Sequence, residues 1–350
     1  MRNTFIPFAL SVVCLAGCGS SDGGSTDTSS GASPDSPEST AFNPPAVPSG
    51  FTRLQSKTVS AIPPGGDVTY CQYVMPPIDH DVDILKVSGV QSKFGHHAVA
   101  FTYTPQAGEE PGSSFPCMGT EFSAGGDPLA GSTTGGGLAS MGAYLGGVGG
   151  EGAGEPSSAL PDGVAFRLQK GQGIMLNVHY LNTGDETIDG NAVVDVKMAE
   201  AESSRTLASM FVNLNLDFEV MPSTQTTSTI DCVAKSDIKL IMMSNHMHEF
   251  GDSATSQVIH ADGSVDELHH DATWTFDMQF NPVYSRWTVE DPYVVKAGDT
   301  VRTTCNWTNS TPNDMKFPRE MCLGVGFALA TGENPTAPLC ANGIWVAQGI

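Results

Sequence analysis

Basic residues are scarce: 16 Lys and Arg stand against 38 Asp and Glu, for a formal net charge of −22. Such a chain lacks the basic surface that a phosphate backbone requires, so nucleic acid is disfavoured as a partner. Anionic lipid surfaces are disfavoured for the same reason. The acidity fits a soluble extracytoplasmic protein, or one that gathers cations, metal ions included. Long apolar runs are also missing: the one at residues 5–16 is too short to span a bilayer. No segment holds a 3.6-residue period over a long window, which argues against long amphipathic helices. No two Cys show a C-x-x-C spacing, which disfavours a zinc ribbon or a thioredoxin motif. The folded part has no His-Glu-x-x-His, no Gly-x-Ser-x-Gly and no Gly-rich loop ending in Gly-Lys-Ser/Thr. Zinc proteases, serine hydrolases and phosphate-cradling loops therefore lose their usual signatures.

What is present begins with an export signal. Arg2 precedes the apolar run, which ends in Leu15-Ala16-Gly17-Cys18. That ending resembles a bacterial lipobox, in which the Cys becomes lipidated and is the first mature residue. Residues 1–18 are thus expected to be a lipoprotein signal with Cys18 as the lipidation site. The chain is expected outside the cytoplasm, held to a bacterial membrane by lipid alone. Residues 19–50 are Ser, Gly, Thr, Asp and Pro with almost no large apolar side chain, which predicts a disordered tether. Cys14 leaves with the signal, so six Cys remain in an oxidising compartment: Cys71, Cys117, Cys232, Cys305, Cys322 and Cys340. An even count there predicts three disulfides.

The remaining 300 or so residues suffice for two domains of ordinary size. Short alternating or β-branched runs recur at 82–90, 97–103, 174–180, 192–196, 209–216, 238–243 and 300–307, separated by Gly, Pro, Asn and Asp. The expected fold is all-β, with two tandem jelly-roll-like antiparallel β-sandwich domains at residues 51–204 and 205–350. Residues 200–205 are expected to cross between them. The Gly-rich stretch from Gly125 to about Ser158 is expected to be a long surface loop.

Five His and one Met stand out as candidate metal ligands: His96, His97, His179, His246, His248 and Met321. Residues i and i+2 of a strand share a face, so His246 and His248 can grip one ion together. His96 and His97 are adjacent and would face opposite ways on a regular strand. A bulge or strand end is needed to bring both to one ion, and Gly95 makes that accessible. Imidazole suits copper, zinc, iron and nickel, whereas a thioether favours Cu(I). Each piece has a bland counterpart: a His-x-His pair is often surface, and a Met beside a Cys is usually core. His80, His260, His269 and His270 are read as surface or hydrogen-bonded, with the last two preceding a strand.

The order and context of these residues resemble the copper type II, ascorbate-dependent monooxygenases, which include peptidylglycine α-hydroxylating monooxygenase and dopamine β-hydroxylase. That family carries a His-His pair, then Val-His-Tyr, then His-x-His, then Glu-Met-Cys. Here they stand as His96-His97, Val178-His179-Tyr180, His246-Met247-His248 and Glu320-Met321-Cys322. Thr69-Tyr70-Cys71, 160–166, 274–279, Ala297-Gly298-Asp299 and Thr303-Thr304-Cys305 are similar as well, the 274–279 stretch to a strand of the family. The resemblance spans about residues 51–340.

The resemblance implies two coppers per chain facing an interdomain cleft. His96, His97 and His179 would hold the electron-storing ion. His246, His248 and Met321 would hold the ion at which O₂ and a small organic substrate meet, and would be the catalytic set. The implied activity is hydroxylation of an unactivated C–H, with ascorbate or another one-electron reductant as co-substrate. It also implies pairing of Cys232 with Cys340 and Cys305 with Cys322, which leaves Cys71 for Cys117. The peptide-amidating branch holds a terminal carboxylate with an Arg and a Tyr where this chain has Ser244 and Val325, so a peptidylglycine substrate is not expected. Three other readings stand beside this one: a copper-buffering surface lipoprotein, a jelly-roll binding module with incidental His, and, more remotely, a zinc hydrolase.

Overall fold

β-Strands account for the regular structure in the computed structural model, which describes residues 42–105, 109–116, 141–149, 152–154, 160–279, 282–317, 319–330 and 338–347. The signal, Cys18 and residues 19–41 of the tether lie outside the described residues. Among those described, no helix is long and apolar enough to cross a membrane. One 3-10 turn, Phe276–Gln279, breaks the pattern of strands. The sequence expectation of a strand at 274–279 is corrected there: Met278 N bonds Thr275 O at 3.0 Å, closing a turn.

The first half stacks two sheets over one core. One contains Thr52–Gln55, Ala192–Glu200, Val82–Gln91 and Val164–Leu168 in that order. The other runs Ser114–Pro116, Asp67–Val74, Gly173–Leu181, Gly95–Tyr103, Met141–Gly149. Alternation decides which side chains face inward. Val82, Ile84, Phe166, Val194 and Val196 meet Ala98, Ala100, Ile174, Leu176, Val178 and Tyr180. Met175, on the opposite face of Gly173–Leu181, joins Cys71, Tyr73 and Tyr103 in a second, smaller cluster. Both faces of this strand are therefore covered, which explains its nearly continuous apolar run.

The Gly-rich stretch departs from expectation. Part of it lies outside the described residues, but Met141–Gly149 is a paired strand beside Gly95–Tyr103, and Gly152–Gly154 pairs with Val82–Gln91. Backbone pairing needs no side chain, and close packing forbids one at Gly146. Its φ is +141°, and an added Cβ would stand 2.8 Å from Val87 Cβ. Tyr144 and Leu145 supply the apolar anchorage.

The second half sets Thr206–Asn215, Cys322–Leu329, Ile238–His246 and Ser285–Arg286 against the sheet Gln225–Val233, Thr300–Thr308, Gly251–Ile259, Val265–Asp271. His269 and His270 lie within Val265–Asp271 rather than before it. Thr300–Thr308 alternates strictly, burying Val301, Thr303, Cys305 and Trp307. Cys232 is joined to Cys340 and Cys305 to Cys322. Cys71 is disulfide-bonded, and Cys117 lies outside the described residues.

The halves share a backbone seam. Val164–Leu168 and Thr206–Asn215 pair in parallel through Thr206↔Val164 and Leu207↔Ala165. One twelve-stranded sheet thus runs through both, and residues 42–350 form a single compact unit. Phe327 and Met242 of the second half pack into the first half's core, with Phe327 against Phe166 at 5.2 Å between centroids. The turn at 201–205 is anchored by buried Asp83, which accepts from Arg167 Nε at 2.5 Å, Arg205 Nε at 3.1 Å and Glu202 N at 3.1 Å.

Candidate metal centres

The first group forms where Gly95–Tyr103 bulges. Along its pairing with Gly173–Leu181, His97 stands opposite His179 and Gly95 opposite Tyr180, so His96 is the extra residue. Phe94 just before it is left-handed, with φ of 62°. The bulge lets two adjacent His turn to one side. His97 and His179 lie on the face turned away from the main core, because Ala98 and Val178 point into it. The ring centroids of His96, His97 and His179 stand 4.4, 5.0 and 5.5 Å apart. One nitrogen from each lies within 4.8 Å of the others.

Neighbouring acceptors decide which nitrogens are available. His179 Nε2 meets Asp67 Oδ1 at 2.6 Å, and His97 Nε2 meets Asn177 Oδ1 at 3.1 Å. Both oxygens only accept, so each Nε2 carries the proton and each Nδ1 is left with a lone pair. This is how a ligating imidazole is oriented by the group behind it. Asp67 is held below the usual carboxylate range, chiefly by its bond to His179. His96 is pushed down to about 3 by burial, then by the charges of His179 and His248. Burial also drives His97 well below the ordinary value.

The second group grows from Ile238–His246 and Cys322–Leu329. Their register places His246 opposite Leu323 and Ser244 opposite Val325. His248 and Met321 follow just beyond the paired residues, on segments that approach each other. Two contacts hold that approach: His248 N donates to Glu320 Oε2 at 3.1 Å, and His248 Nδ1 meets the Arg319 carbonyl at 3.0 Å. The carbonyl only accepts, so Nδ1 is protonated and Nε2 is the free lone pair. Trp274 Nε1 donates to the His248 carbonyl at 2.9 Å. The His246 and His248 rings are 5.2 Å apart. Burial lowers them to about 3 and about 4. Met321 is partly buried, and the Cys305–Cys322 disulfide pins the next residue.

The groups feel one another across the halves. The charge of His248 depresses His96, and that of His179 depresses His248. The Phe276 ring, about half exposed, lies 6.5 Å from the His96 ring. Asp67 was not singled out from sequence, and Arg319, Glu320 and Trp274 stood there only within or beside matched stretches, with no role of their own. Each acts on a His through a contact spanning 26 to 112 residues. Ser244 Oγ is spent on the Val283 carbonyl at 2.7 Å, so it does not stand in for a carboxylate anchor. The remaining His have other partners: His80 with Asp79 and Glu200, His260 with Asp266 and Asp299, His269 with Ser285 and Asp271, and His270 with Glu267.

No family model and no curated protein matches the chain. Among solved structures it is similar to the major capsid protein P2 of bacteriophage PM2, at 8% identity over 81% of this chain and 99% of that one, with a TM-score of 0.32. The VP2 subviral particle of infectious bursal disease virus aligns at 9% identity over 83% and 74%, with a TM-score of 0.19. VP54 of PBCV-1 aligns at 9% identity over 85% and 88%, with a TM-score of 0.22. Scores this low carry no inference about function.

Proposed function

We propose that the chain is an exported, lipid-anchored copper monooxygenase that hydroxylates an unactivated C–H of a small organic substrate with O₂ and an external one-electron reductant such as ascorbate. The observation that carries this reading is the pattern of lone pairs. One nitrogen of each of His96, His97 and His179 lies within 4.8 Å of the others; His97 and His179 keep a lone pair on Nδ1, and His248, whose neighbours Arg319 and Glu320 precede Met321, keeps one on Nε2. The all-nitrogen set would hold one copper and the nitrogen–thioether set the other, the soft sulfur favouring Cu(I). Bound copper supplies the one-electron transfers and the activation of O₂. The protein's residues keep their ligand nitrogens free of protons at neutral pH, because burial holds His96, His246 and His248 far below it. Asp67, Asn177 and the Arg319 carbonyl fix the rings in the binding tautomer. Phe276 borders the first group with an apolar ring.

The test is copper stoichiometry on the purified protein, wild type against His246→Ala and Met321→Ala, followed by oxygen uptake with ascorbate. About two coppers per wild-type chain, with each variant losing about one, is the expected result. Wild-type protein without copper, or variants that keep both ions, would sink the reading. Two coppers without reductant-dependent oxygen uptake across a substrate screen would favour a copper-buffering lipoprotein instead.

A further inference from the structure

Glu320 is fully buried, and its carboxylate is the meeting point of the segments that carry the second group. Oε2 accepts from His248 N at 3.1 Å and from Trp307 Nε1 at 3.0 Å, while Oε1 accepts from Phe250 N at 2.9 Å. The backbone N–H of Met321 also bonds to it. Its surroundings are otherwise apolar: Phe218, Met247, Trp307, Met315 and the Cys305–Cys322 pair form one cluster with Trp274. A carboxylate in such a place is costly unless its oxygens are bonded, and here donors arrive from three separate stretches of chain. Gln could not replace it, because its amide NH₂ would face donors with a donor.

We infer that Glu320 is the positioning residue of the second group: one buried carboxylate that sets the spacing between His248 and Met321 before any metal arrives. The inference rests on reading His246, His248 and Met321 as copper ligands. Both oxygens of Glu320 are taken up by protein donors, so its role is to hold the chain rather than to bind a ligand. It holds the backbone on both sides, at His248 and Phe250 on one segment and at Met321 on the other. The Arg319 carbonyl, one residue earlier, then catches the His248 ring from the same strand lead-in. A single acidic residue thereby sets both the ring's place and the thioether's reach.

The test is Cu(I) titration of the full chain against a chromophoric chelator, with X-ray absorption at the copper edge to register the thioether. Wild type, Glu320→Gln and Glu320→Asp are compared. In Glu320→Gln the first-group copper should remain, the second-group affinity should fall about 10- to 100-fold, and the thioether signature should fade. Retention of first-group copper reports that the variant is folded. Should Glu320→Gln not fold, Glu320→Asp keeps the charge but not the reach, and the same selective loss is expected. A variant with wild-type affinity and an intact thioether signature overturns the inference while leaving the copper reading standing. Wild-type protein that binds no copper overturns both.

Discussion

His97 and His179 stand opposite each other on neighbouring strands, and each turns its Nε2 to an oxygen of its own, Asn177 Oδ1 for one and Asp67 Oδ1 for the other. The two Nδ1 lone pairs are therefore set by groups bonded to the opposite nitrogen of each ring. Asp67→Ala and Asn177→Ala should each weaken copper at the first group about 10- to 100-fold and leave the second unchanged. Chelator competition on reduced protein reads this directly. Unaltered first-group affinity in both variants would show that the acceptors do not orient the rings.

Asp83 carries the link between halves, with two guanidinium groups and the Glu202 N–H bonded to it at zero exposure. Removing the carboxylate takes from partly buried Arg167 its ion pair and leaves Arg205 with Glu202 alone. Asp83→Ala should cost about 3–5 kcal/mol of stability, seen as a lower urea midpoint. A change within experimental error would mean that water replaces the lost acceptor.

His260 bridges two carboxylates, Asp266 at 3.1 Å and Asp299 at 3.0 Å. Its pKa is raised, first by the bond to Asp266 and then by that to Asp299. A group raised on folding stabilises the native state below its unfolded value of 6.5 and loses that contribution as pH climbs through the folded value. The difference in melting temperature between wild type and His260→Asn should therefore be largest below pH 6.5 and shrink above it. A difference independent of pH would assign the contribution to packing instead.

Strand class was legible because alternation is local: the run at 300–307 lies inside Thr300–Thr308, and the run at 97–103 inside Gly95–Tyr103. The need for a bulge at His96 followed from two adjacent imidazoles and Gly95. The Gly-rich stretch misled because its pairing strength lies in the backbone, which composition does not display; Met141–Gly149 is a strand all the same. The 274–279 segment misled the other way: its similarity to a strand of the resembled family suggested a strand, but Phe276–Gln279 closes a turn. Asp67 was invisible for a different reason. It is one acidic residue among 38 Asp and Glu, and only the pairing of Asp67–Val74 with Gly173–Leu181 sets it beside His179.

The parallel pairing of Val164–Leu168 with Thr206–Asn215 has a consequence for anyone who would dissect the molecule. Severing the turn at 201–205 would produce two polypeptides that still cohere, because the seam and the Phe327–Phe166 contact do not pass through that turn. Producing either half alone would be a different matter. Each would display a raw strand margin and an uncovered apolar wall, and would be expected to precipitate or to find another copy of itself.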